Sequence, residues 1–201
     1  VFEQQTSGKS LVDMLKLDLI VGSGGILSHA PRRIQSMLMM VDAYEPLGFT
    51  MLSVDSIFMM PHLGVLSTIN EKAATDVFVR DCMVYLGTCV APIGQLKDGE
   101  RLADYEVTFP DGRTVKDQLK MGELRLFPLG LNRKATITMQ PVKQINLGAG
   151  PGTPVTREVQ GGVVGLMLDG RGRPLQLPAD QTARVAAITK WFKAVDLYPS
   201  P

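Results

Sequence analysis

"LDLIVGSGGILSHAPRR", residues 17–33, decides how the first third of the chain is read. A short apolar run, Asp18–Val21, ends in Gly22, Gly24 and Gly25. Pro31 follows, a residue favoured at the first turn of a helix, and then "RRIQSMLMMVDAY". In that segment Ile34, Met37, Leu38 and Val41 recur at helical spacing, so a helix lays one apolar stripe on a core. Glycines between a strand and a helix have two readings. One is a tight corner. The other is a surface where a ligand touches bare backbone, because missing Cβ atoms leave room and a following helix presents unpaired N–H groups. Neither phosphate signature is present: no Lys-Ser/Thr completes GxxxxGK[ST], and Gly22, Gly24 and Leu27 give only GxGxxL.

The rest of the chain sorts around this unit. "TMLSVD" reads as a second strand, "SIFMMPHLGVLSTI" as a buried helix starting near Pro61 with His62 in the core, and "EKAATDVFVRD" as a short helix capped by Asn70. From about residue 83 Gly and Pro become frequent and strands shorten. Asp111-Gly112 between extended runs marks a hairpin, "KATITMQPV" alternates as a half-buried strand does, and "GGVVGLMLDGRGRPLQLP" reads as strand, turn, strand with Gly170 and Gly172 at the reversal. The aperiodic segment 146–156, "NLGAGPGTPVT", reads as a mobile loop and a docking element. Thr182–Asp196 forms a last helix with Val185, Ile188, Trp191, Phe192 and Val195 on one stripe and Trp191 as its anchor. The expected organisation is an α/β part over 1–86, a β-rich barrel or sandwich over 87–178, and a C-terminal helix and tail over 179–201.

Composition narrows the function classes. The chain has 201 residues, 45% hydrophobic and 20% charged, with a formal net charge of +1, so a nucleic-acid partner is not expected. No run of eighteen apolar residues spans a membrane. Cys82 and Cys89 lack any CxxC or HxxxH partner pattern, which favours free thiols and a cytoplasmic setting over a zinc site with His29 and His62. The start, Val1-Phe2-Glu3, reads as a cut inside a longer protein.

"LIVGSGGILSHAPRRIQSMLMMVDA" (19–43), "VDSIFMMPHLGVLS" (54–67) and "GGVVGLMLDGRGRPLQLP" (161–178) together resemble the MutL-type accessory proteins of the adenosylcobalamin-dependent glutamate mutase system, which are unrelated to the mismatch-repair protein of that name. That family is similar in turn to the superfamily of sugar kinases, heat-shock chaperones and actin. The resemblance implies an α/β plus β fold, the C-terminal lobe of an actin-like, ribonuclease-H-like ATPase with a β-rich appendix. It implies ATP or ADP as ligand, with Mg held mainly by another lobe, and the subunits of an adenosylcobalamin-dependent mutase as partners. It places Gly22, Ser23, Gly24 and Gly25 beside ribose and adenine, Ser28 at hydrogen-bonding distance, and Arg32 as a stacking plane on the base, against the alternative of a solvated helix face. The superfamily's Asp-x-Gly-x-Thr/Ser phosphate turn is missing, so this chain is expected not to turn over ATP and no catalytic residue is assigned. Two other functions stand beside a reactivating ATPase: a scaffold or assembly factor for the mutase, and an enzyme domain related to hydantoinase and oxoprolinase subunits.

Overall fold

A computed structural model describes residues 12–198. The opening stretch folds as a parallel β–α–β unit. β1 (Leu19–Gly22) leads through a single turn, α1 (Gly25–Ser28), and a full helix, α2 (Arg33–Tyr44), into β2 (Gly48–Asp55), which pairs parallel to β1 with Leu19 opposite Met51. The corner therefore holds an extra helical turn that the sequence pattern did not indicate, and Pro31 lies just outside α2 rather than in its first turn. Next come α3 (Met60–Ser67) and α4 (Glu71–Val77). The expected Asn70 cap is present, its side chain accepting from Ala73 N at 3.0 Å. A single π-helical turn, 78–82, delivers the chain into β3 (Met83–Ala91).

Two sheets follow from the remaining strands, β4 (Arg101–Thr108), β5 (Thr114–Lys120), β6 (Leu124–Phe127), β7 (Lys134–Pro141), β8 (Val155–Gln160) and β9 (Leu166–Asp169). One sheet has the order β1-β2-β3-β9-β6 and the other β5-β4-β7-β8. The boundary expected at 86/87 falls within β3, and β6 and β9 from the β-rich stretch complete the sheet that β1 begins. The hairpin at Asp111-Gly112 joins β4 to β5, and β7 alternates buried and exposed as its pattern indicates.

The molecule has three layers. Val90, Leu166 and Leu168 leave one face of the first sheet and meet Leu102, Val107, Ile137 and Met139 of the second. Leu52, Cys89 and Met167 leave the other face and meet Met37, Met40 and Val41 of α2 and Trp191 of the C-terminal helix α5 (Gln181–Ala194). Period-two alternation along β3 and β9 is what lets one sheet serve two cores. Trp191 anchors α5 as expected, buried and donating from Nε1 to Gly122 O at 2.9 Å, whereas Val185 at the start of the stripe stays exposed.

Two expectations need correction. α3 is a helix but not a core helix: among its residues only Leu63 is buried, His62 is exposed, and Ile57, Phe58, Val65 and Ile69 around it face solvent. The stretch is apolar all round, and such a pattern does not say which face packs. Secondly, "DGRGRP" is not a reversal between strands. β9 ends at Asp169, and the chain then wraps around that side chain. Asp169 is fully buried and accepts from Arg171 Nε at 2.9 Å, Arg171 Nη2 at 2.9 Å and Arg173 Nη2 at 2.7 Å. Arg171 reaches on to Asp42 of α2 at 2.7 Å, and its guanidinium lies 5.0 Å from the Trp191 ring centre. Arg173 donates to Pro46 O at 3.2 Å. The two arginines thus fasten β9 to α2, to α5 and to the turn before β2.

Burial opposes the charge on Asp169, and the two guanidiniums outweigh it, holding the carboxyl at about 2. A carboxyl depressed on folding stabilises above its unfolded value, near 4, and that contribution is lost as pH falls from about 4 towards 2. Asp169→Asn leaves two buried cations short of a partner and is expected to cost about 3–5 kcal/mol. Urea unfolding at pH 7 checks the loss. Repeating it across pH 4 to 2 should show the variant losing less stability with acid than the wild type.

Candidate functional site

β1 and β2 are adjacent and parallel, so their carboxyl ends open in the same direction, the place where open α/β sheets bind ligands. The Gly22–Gly25 turn lies at the end of β1 and Asp55 at the end of β2. They are joined: Ser23 Oγ donates to Asp55 Oδ2 at 3.3 Å. Asp55 is buried and also receives Met59 N at 3.1 Å and Met60 N at 2.8 Å, so it fixes the start of α3. Burial pushes its carboxyl up, but the backbone N–H groups of Met60, Met59 and Ile57 and the Ser23 hydroxyl prevail, and the group ionises below its ordinary range. Between Asp55 and α3 the chain passes through Phe58 at φ +58°, a left-handed conformation on a half-exposed aromatic residue, the kind of backbone strain that collects at functional sites.

The glycines of the turn divide by role. A Cβ on Gly22 would lie 2.6 Å from Leu27 Cδ1 and 2.9 Å from Met40 Sδ, so this position lets α1 and α2 close on β1. Gly24 has φ +114° and nothing within 4 Å of where a Cβ would sit, and Gly25 meets only His29 Cδ2 at 3.8 Å. Their backbone faces open space.

The two remaining residues singled out by the resemblance have protein partners. Ser28 is buried, and its Oγ donates to Gly24 O at 3.0 Å, closing the turn on itself. Arg32 is partly exposed, and its side chain turns to residues 196–197. Its guanidinium donates to Leu197 O at 3.1 Å, to the Asp196 carbonyl and to Asp196 Oδ2 at 3.3 Å, tying the start of α2 to the end of the chain. Arg33 likewise reaches Ser28 O at 3.0 Å. Asp55 itself was missed. Its signal was an Asp at the end of an apolar run, followed within six residues by a helix-opening Pro61.

Cys82 and Cys89 are free and buried. They belong to different cores: Cys82 ends the π-helical turn and Cys89 lies in β3. Burial pushes both thiols up, Cys89 to about 12, so neither is a ready nucleophile. Among the described residues no three His, Cys, Asp or Glu side chains gather as a metal site, and no helix is long and apolar enough to cross a membrane.

The segment that carries this turn and Asp55 is similar to a known family. Residues 3–82 match the MutL family, described as MutL protein. The MutL match includes the Gly22–Gly25 turn, Asp55 and both short helices, and ends one residue before β3. This MutL is the one associated with glutamate mutase. No curated protein and no solved structure matches the chain.

The division of the glycines has a direct test. Gly22→Ala should lower stability by about 1–3 kcal/mol through overpacking. Gly25→Ala, at the first position of α1 with free space around it, should stay within about 0.5 kcal/mol of wild type. Equal melting shifts for the two variants would contradict the assignment.

Proposed function

We propose that this chain belongs to the adenosine-binding side of an actin-like ATPase that serves an adenosylcobalamin-dependent mutase such as glutamate mutase, by exchanging damaged cofactor. The observation that carries the reading is the open backbone of Gly24 and Gly25 at the carboxyl ends of two parallel strands, within the segment that matches MutL. A ribose or a base can approach there to a distance that any side chain would forbid. Gly22 and Ser23 shape the turn, Ser23 through Asp55. Ser28 and Arg32 enter this reading as positioning residues, one locking the turn and the other holding the end of the chain beside it. ATP or ADP, with its Mg, supplies the phosphates. This sequence offers no Asp-x-Gly-x-Thr turn to hold them, so phosphate transfer is not part of the proposal for these residues.

A second reading, a scaffold for the mutase, is favoured by the exposed apolar surface of α3 and its flanks. Ile69 is 84% exposed, Val65 69% and Ile57 59%, a density of apolar side chains that marks a protein contact. The 146–156 segment, the other docking element read from the sequence, is braced by its own hydrogen bonds. Asn146 Oδ1 accepts from Gly148 N and Gly150 N at 2.8 and 3.0 Å, Gly152 N donates to Ile145 O, and the last residues belong to β8.

Calorimetry with ATP and ADP tests the first reading. Binding is expected for the wild type and at least a tenfold loss for Gly25→Val, which the open space allows to fold. Equal affinity in a folded variant removes the glycine turn from nucleotide recognition. Co-purification with mutase subunits tests the second. Val65→Glu with Ile69→Glu should lower the recovered mutase several-fold with calorimetry unchanged, and full recovery would move the contact off α3.

A further inference from the structure

Beside α2 and the end of the chain lies a cavity of about 590 Å³, within the usual range for small-molecule sites. It touches the glycine turn only at its edge, through Gly25. One wall is Leu38 and Met39 of α2. The opposite wall is the aromatic pair Phe192–Tyr198, whose rings meet edge to face at 5.9 Å and 74°. A thioether on one side and aromatic rings on the other suit a flat, polarizable ring between them.

Charge selects further. Among the described residues Asp42 is the one formally charged side chain that lines the cavity, and Arg171 already pairs with it at 2.7 Å. The linked cluster sums to zero, two carboxylates (Asp42, Asp169) against two guanidiniums (Arg171, Arg173). An ionic ligand would find no counter-charge here. Hydrogen bonding is available, however. Asp42 Oδ1 is taken by Arg171, and among the described residues Oδ2 has no donor. Gln35 uses Oε1 to accept from Arg32 N at 3.1 Å, which orients its amide and leaves the NH₂ as a donor.

We propose that this cavity binds an uncharged, planar heteroaromatic ring that carries one N–H donor, directed to Asp42, and one acceptor, directed to Gln35. The site goes beyond the nucleotide reading, because it requires neither ribose nor phosphate. Arg32 shapes it as a positioning residue: by holding Asp196 and Leu197 it keeps the Phe192–Tyr198 wall opposite α2.

Benzimidazole, uncharged at pH 7.5 with one N–H and one ring acceptor, is the probe. The readout is the methyl resonance of Met39 in protein labelled with carbon-13 at its methionine methyls. Benzimidazole should shift that resonance saturably, 1-methylbenzimidazole should bind about fivefold more weakly for want of the donor, and benzoate should leave the resonance in place. Met39→Trp should abolish benzimidazole binding by filling the cavity, read as a thermal shift. If that variant does not fold, Tyr198→Ala, at the exposed end of the chain, should weaken binding about fivefold. An unmoved Met39 methyl, equal binding of the two benzimidazoles, or wild-type affinity in the folded variants overturns the proposal. Benzimidazole binding without ATP binding keeps this site and removes the nucleotide reading. ATP binding with no response to benzimidazole does the reverse.

Discussion

A single buried carboxylate holds the layers in register. Asp169 sits at the end of a central strand and receives both Arg171 and Arg173, which carry its charge outward to α2, α5 and the turn that feeds β2. Burial makes the group costly to charge, and the two guanidiniums make it costly to neutralise. Arg171 is likewise penalised by burial and kept protonated by Asp169 and Asp42. Such a cluster tolerates only one geometry, because any displacement strands a charge in a dry interior. The helix layer therefore sits where the cluster puts it, and the walls of the cavity beside α2 inherit that position.

The other fixed point is the crossing of backbones between the two cores. β3 carries a bulge against Leu52 and Ser53, and at Gly87 (φ +136°) it runs so close to the segment 162–165 that a Cβ would lie 1.8 Å from Gly165 O. Val163 N and Val164 N donate there to Tyr85 O and Leu86 O. The sheet that begins in the MutL-matching segment is thus finished by strands from its far side, and the second sheet packs onto that finished face.

Local signals were readable without coordinates. The strand–helix–strand order at the start, the Asn70 cap, the 111–112 hairpin, the alternation of β7 and the α5 stripe that holds Trp191 are each signalled by residues within one element or turn, and each was legible. The failures share a cause. Whether an apolar helix such as α3 is covered depends on what lies across from it, and a uniformly apolar pattern carries no direction. Arg32, Arg171 and Arg173 look like surface or turn residues because their partners lie 127 to 165 positions away, or at a buried Asp that resembles a turn residue. At the candidate site the glycines were legible but their division was not, since Gly22 and Gly25 differ only in the side chains that fold back on them.

The Arg32 contact with Asp196 and Leu197 bears on the order in which the molecule can be made. On the ribosome the glycine turn and α2 are released well before the end of α5. Until the end of α5 arrives, Arg32 has no carbonyls to hold, and the apolar face of α2 lacks Trp191, Val195 and Leu197. The glycine turn and α2 therefore wait, partly uncovered, for the residues that close them. Long-range closure of this kind slows folding, and it ties readiness of the glycine turn to completion of the described chain.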